Sequence, residues 1–168
     1  MPERPVAALA MRSWVLPEVF PADLLDRLGT VVRLDPGGVL TTFDTDEARA
    51  ALREATVLVT GWGCPRIDGG VLAAAPRLRA VIHTAGSVKG HVDPVVFAGG
   101  VAVSSAAQAI AVPVAEYTVA AIVFAAKRVL TRARWYAEDR AAGDWRSGAG
   151  TGLYGRTVGV VGASRTGR

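Results

Sequence analysis

Near its carboxyl end the 168-residue sequence sets an apolar run, Thr157–Val161 (TVGVV), directly before Gly162-Ala163-Ser164-Arg165-Thr166-Gly167. Strand, glycine turn and helix start in that order form a device for holding a dinucleotide pyrophosphate. The first glycine makes the turn, the second lets backbone approach the phosphates, and the third lets helix and strand pack closely. Here the second position is Ser164. Its side chain is small, and its hydroxyl can donate to a phosphate oxygen. The plainer alternative for these residues is an ordinary tight strand-to-helix turn.

Few other side chains offer chemistry. His83 and His91 are the only histidines and Cys64 is the only cysteine. Each histidine reads as a polar loop residue near a strand end, although a neutral imidazole can shuttle a proton near neutral pH. Cys64, in GWGCP, has no basic partner in the sequence and reads as a packed or idle thiol. Trp62 follows a strand end and is a candidate both for packing and for lining a cleft. No metal site is expected.

The elements that position these residues alternate. Val6–Met11, Val31–Leu34, Val57–Thr60, Leu78–Ile82 and Val101–Val103 read as short apolar strands. Between them, Pro21–Gly29, Thr45–Ala55, Asp68–Ala75 and Asp93–Ala98 read as helices, and Asp35–Gly38 as a turn. Thr45 is placed to cap its helix, with acids filling the first turn. Strands without polar alternation, interleaved with helices, predict a parallel sheet covered on both faces. Ligands of such sheets bind outside the carboxyl ends of the strands, which selects the loops after Thr60, Ile82 and Val103. A long, nearly all-apolar helix is predicted from Pro113 to about Ala137. It is expected to be buried, in a core or against a partner. Ala141–Gly152 reads as a connector.

Composition limits the remaining possibilities. About half of the residues are apolar and a fifth charged, as in an ordinary soluble domain. One cysteine excludes an intrachain disulfide. The start lacks a signal-peptide pattern. The weakly charged stretch Ala111–Ala126 is shorter than the roughly 20 apolar residues of a bilayer span. Residues 1–110 carry 10 Lys/Arg against 11 Asp/Glu, and residues 111–168 carry 9 against 4, so the basic excess lies in the second part. No nucleic-acid-binding motif accompanies it. A cytoplasmic protein with no nucleic-acid or membrane partner is expected.

Taken together, the segments resemble the amino-terminal half of the D-isomer-specific 2-hydroxyacid dehydrogenases. The resemblance covers nearly the whole chain. It is carried by VLAAAPRLRAVIHTAGSVKGHVD (Val71–Asp93), by VPVAEYTVAAIVFAAKR (Val112–Arg128) and by GDWRSGAGTGLYGRTVGVVGASRTGR (Gly143–Arg168). Departures fall at Thr84, Val88, Ile110 and Ser164, where the family often has Arg, Gly, Asn and Gly.

The resemblance implies an α/β, flavodoxin-like, doubly wound parallel sheet followed by the beginning of a Rossmann NAD-binding domain. Residues 1–110 would be the first segment of the substrate-binding domain. Residues 111–168 would start the NAD-binding domain and end within the dinucleotide fingerprint. It further implies that backbone amides of Gly86, Ser87 and Val88 hold the carboxylate of a 2-hydroxy or 2-oxo acid. Lys89 is expected to face solvent. Gly162, Ser164, Arg165, Thr166 and Gly167 would contact NAD or NADP. The catalytic Arg, Glu and His of the family would lie beyond residue 168, and the enzyme would be a homodimer. The alternative is a non-catalytic flavodoxin-like binding or dimerisation module.

Overall fold

In the computed structural model, residues 3–138 and 152–167 are described. They divide by contact into two compact units, 1–107 and 108–168.

The first unit is a five-stranded, wholly parallel sheet in the order β2-β1-β3-β4-β5. The strands are β1 (Val6–Ala10), β2 (Arg33–Leu40), β3 (Val57–Thr60), β4 (Ala80–His83) and β5 (Ala102–Ser105). The helices are α1 (Val15–Val19), α2 (Ala22–Val31), α3 (Asp46–Glu54), α4 (Gly69–Ala74) and α5 (Pro94–Ala98). Side chains alternate across the sheet, and the core divides accordingly. Ala8, Ala10, Leu58 and Val81 pack with Leu52, Val71 and Val96 on one face. Ala7, Leu9 and Val59 pack with Val32, Leu16, Phe20 and Leu25 on the other. Strands buried on both faces explain the continuous apolar runs. Local caps hold the helix starts. The Thr45 hydroxyl accepts from the Ala48 N–H at 3.2 Å, an Asp68 carboxylate oxygen accepts from Gly70 and Val71, and Asp93 accepts from Val95.

Several boundaries differ from the sequence reading. The Asp35–Gly38 segment does not end β2. The ladder steps from the pair Ala7–Leu34 to the pair Leu9–Val39, so the extra residues form a bulge inside the strand, with Gly38 at φ +81°. Helix α2 runs through Gly29 to Val31, and α1 has no counterpart in the sequence reading. His83 is the last residue of β4 and is buried, rather than standing in a loop.

The second unit departs most. The predicted single helix is two, α6 (Ala107–Ala126) and α7 (Val129–Glu138). Helix α6 starts six residues before Pro113, because the Ala-rich run AQAIAV is itself helix-forming and a proline near the start forfeits only one bond. It ends at Ala126, and Arg128, two residues on, has a φ of +52°, a left-handed conformation uncommon for a residue with a side chain. The Arg128 N–H bonds the Ala125 carbonyl, and the Gly152 N–H bonds that of Ala126. Nothing in Lys127-Arg128-Val129 signals a stop. Only Ala111 of α6 is buried, so the burial expected of this helix is not realised within the chain. By length and composition alone, its 20 residues at mean hydropathy 1.9 suffice to cross a membrane. Thr157–Val161 forms no strand. A strand needs a hydrogen-bonded neighbour, and no described segment pairs with it. The predicted connector lies almost wholly outside the described residues.

Candidate functional site

The strand order reverses between β1 and β3, so the carboxyl ends of these strands and of β4 bound the crevice where this architecture binds ligands. Three loops meet there. The first follows β1 and begins with Met11 and Arg12. The second follows β3 and contains Gly61, Trp62 and Gly63. The third, Thr84–Gly90, follows β4. They are tied by backbone bonds from Gly61 to Ala10 (3.1 Å), from Arg12 to Trp62 (3.0 Å) and from Thr84 to Thr60 (2.8 Å). The Thr84 hydroxyl also donates to the Thr60 carbonyl at 2.9 Å. A Cβ on Gly61 would press on Met11 and Thr84, so this junction admits only glycine without a shift.

The β4 loop holds the residues expected to bind an acid. The N–H groups of Gly86, Ser87 and Val88 donate to no described protein atom, whereas the loop's later amides are used: His91 and Val92 bond the Val88 carbonyl, and Lys89 bonds the Ser87 hydroxyl. Ser87 is exposed, and Gly86 and Val88 are half-buried. Successive amides without protein acceptors supply positive potential that suits an anion and needs no side chain to be ordered. Lys89 is exposed, as expected.

A feature absent from the sequence reading fastens this loop. His83 precedes it and His91 follows it, and their rings sit 4.4 Å apart at 48°. Between them stands the fully buried Thr60. Its hydroxyl lies 2.9 Å from His83 Nδ1 and 3.5 Å from His91 Nε2. A hydroxyl donates one proton and accepts others, so it pairs with two neutral imidazoles by donating to one and accepting from the other. Burial holds both histidines below the ordinary imidazole range, and for His83 the neighbouring His91 adds to this while Thr60 partly opposes it. The pair therefore stays neutral near pH 7 and clasps the two ends of the amide-bearing loop. The signal in the sequence was a Thr closing one apolar strand and a His closing the next.

Cys64 bears out the idle reading. Burial pushes its thiol up to about 12, and its Sγ donates to the Pro65 carbonyl at 3.2 Å. A thiol so held is no nucleophile at neutral pH. Trp62 is 56% exposed, so it is not part of the core. Among the described residues, no three metal-ligating side chains come together.

In the second unit, the fingerprint residues form a turn. Gly162 has φ +101°, and the Gly167 N–H bonds the Ser164 carbonyl at 3.1 Å. A Cβ on Gly167 would strike the Gly162 carbonyl oxygen. Both outer glycines are thus required by local geometry. Ser164 and Arg165 are exposed and Thr166 is half-buried.

The sequence matches no family model and no curated protein. Solved structures do match. A D-lactate dehydrogenase from Aquifex aeolicus, crystallised with NAD and lactic acid, superposes at a TM-score of 0.65 with 20% identity over 96% of this chain and 45% of its own. An NADPH-dependent glyoxylate/hydroxypyruvate reductase from Sinorhizobium meliloti, in complex with citrate, gives 0.65 with 21% identity over 98% of this chain and 48% of its own. A phosphoglycerate oxidoreductase from Rhizobium etli gives 0.61 with 19% identity over 86% and 44%. The chain thus spans a little under half the length of the structures it matches, and it shares the fold of the matched part of these dehydrogenases and reductases.

Proposed function

We propose that this chain is the acid-binding and first cofactor-binding part of an NAD(P)-dependent D-2-hydroxyacid dehydrogenase. The full protein would transfer a hydride between nicotinamide and a 2-hydroxy or 2-oxo acid. The observation that carries the reading is the row of unused amides at Gly86, Ser87 and Val88, set beside the β1–β3 reversal in this fold. On this reading residues 1–110 belong to the substrate-binding domain, and residues 111–168 open the NAD-binding domain.

The division of labour follows from the residues. The Gly86–Val88 amides hold and orient the carboxylate, and the Thr60–His83–His91 clasp keeps their loop in place. Gly162, Ser164, Arg165, Thr166 and Gly167 receive the pyrophosphate, with the Ser164 hydroxyl as a further donor. When bound, NAD or NADP supplies the hydride acceptor and donor. One ring nitrogen of each histidine is engaged with Thr60, and burial favours the neutral form of both. On the resemblance, the groups that transfer the proton would lie outside residues 1–168, and the 168-residue chain alone is expected to turn over no substrate. The apolar surface of α6, where Tyr117, Val119 and Phe124 are exposed, suits burial against a second copy in a homodimer.

The test is NADH- or NADPH-dependent reduction of a panel of 2-oxo acids by the whole protein that carries this chain. Turnover that falls about tenfold in kcat/KM for the acid in Ser87→Pro, but not in Ser87→Ala, supports the reading. The first variant deletes an amide donor to a charged ligand, typically a loss of about 1.5–3 kcal/mol, and the second keeps it. No protein-dependent oxidation of either cofactor with any 2-oxo acid would refute it.

A further inference from the structure

Arg12 stands in the loop directly after β1, at the β1–β3 reversal, and its side chain follows an unusual course. It lies against the β3 loop: a Cβ on Gly63 would strike its Cγ and would stand 2.8 Å from its Cδ and Nε. Gly63 has φ +75°, a conformation that itself favours glycine. Gly63 thus both turns the loop and leaves the groove through which the arginine passes. The backbone of Arg12 is fixed from both sides, its N–H on the Trp62 carbonyl and its own carbonyl accepting from Val15.

The direction matters. β3 lies between β1 and β4 in the sheet. A side chain that lies over the β3 loop stands between the β1 end and the β4 loop, whose first residue, Thr84, lies against Gly61. Neighbouring strands are about 4.8 Å apart, so the ends of β1 and β4 stand about 10 Å apart, and an extended arginine spans much of that. Arg12 is exposed and forms no ion pair among the described residues; the two ion pairs found there are Arg66–Asp93 and Arg77–Glu54. Trp62, whose carbonyl holds the Arg12 N–H, is 56% exposed.

We propose that Arg12 is a specificity residue that recognises a second acidic group on the substrate. It selects 2-hydroxy or 2-oxo acids carrying a second carboxylate over those with a plain alkyl tail. The first carboxylate sits on the Gly86–Val88 amides, and the distal one meets the guanidinium, whose planar fork suits a carboxylate. The inference rests on the acid-binding reading of that loop.

The experiment is an amide NMR titration of the 168-residue chain with D-lactate and with D-malate, repeated on Arg12→Gln and Arg12→Lys. D-Malate is expected to shift the Gly86–Val88 amides at a concentration roughly three- to fivefold lower than D-lactate, the worth of an exposed ion pair. Arg12→Gln should abolish that preference and leave D-lactate binding unchanged, and Arg12→Lys should keep part of it. Equal binding of the two acids by the unaltered chain, or a preference that survives Arg12→Gln, overturns the role of Arg12 while sparing the loop. If neither acid shifts the Gly86–Val88 amides, the loop reading fails and this inference with it.

Discussion

The two units contain similar apolar fractions, yet they spend them differently. In the first, Leu52, Leu58, Val81 and Val96 are fully buried and every strand has a parallel neighbour. In the second, Val158, Val160 and Val161 are 47–105% exposed and Thr157–Val161 pairs with no described strand. An apolar run is thus a statement about what a segment needs, and only a partner in space turns it into a strand. Residues 1–107 contain those partners, whereas the described part of residues 108–168 does not.

The largest expected effect sharpens this contrast. In the 168-residue chain, Leu58→Ala should cost about 2–5 kcal/mol in urea unfolding followed by fluorescence, as for a fully buried leucine. Val160→Ala should cost no more than about 0.5 kcal/mol, as for an exposed side chain. Comparable losses at the two sites would break the contrast.

Next comes the clasp. Thr60→Val keeps the shape but strands two ring nitrogens, so about 1–3 kcal/mol should be lost at pH 7. The same cluster sets a pH dependence. Both histidines titrate below the unfolded value of about 6.5, so the unfolded chain binds more protons as pH falls through that value. Stability should therefore be full above pH 7 and decline from about pH 6.5 downward. Urea midpoints measured from pH 8 to 5 would show the decline, and His91→Gln should flatten it. A midpoint that rises with acidity would contradict the clasp.

Smaller still is the α3 cap. Thr45→Ala should cost about 1 kcal/mol by the same unfolding measurement, since the hydroxyl satisfies the Ala48 N–H. Least of all is Glu54→Gln, which breaks the exposed pair with Arg77 at 2.8 Å and should cost less than about 1 kcal/mol.

Much of the first unit was legible because its signals are local. Thr45 and Asp68 announce helix starts, and VLVT at Val57–Thr60 is a strand by its branched, unbroken apolar character. Asp35–Gly38 misled because a turn sequence also suits a bulge, and pairing with β1 decides between them. The break at Arg128 was invisible because Lys and Arg favour helix, and the bond from Gly152 that caps it comes from 26 residues away in sequence. At the site, the glycines at 86, 162 and 167 could be picked out by type and order. The Thr60–His83–His91 cluster and the path of Arg12 over Gly63 could not, since each joins residues on separate strands or loops.

On the proposed function the two units take two ligands, an acid at Gly86–Val88 and a dinucleotide at Gly162–Gly167. The most direct test is to titrate the isotope-labelled chain with D-lactate and, separately, with NADH, following every backbone amide by NMR. The account predicts that D-lactate shifts Gly86, Ser87 and Val88 and leaves the fingerprint turn unmoved, while NADH shifts Gly162 through Gly167 and leaves the β4 loop unmoved. Both ligands acting on one set of amides, or neither ligand acting on either set, would contradict it.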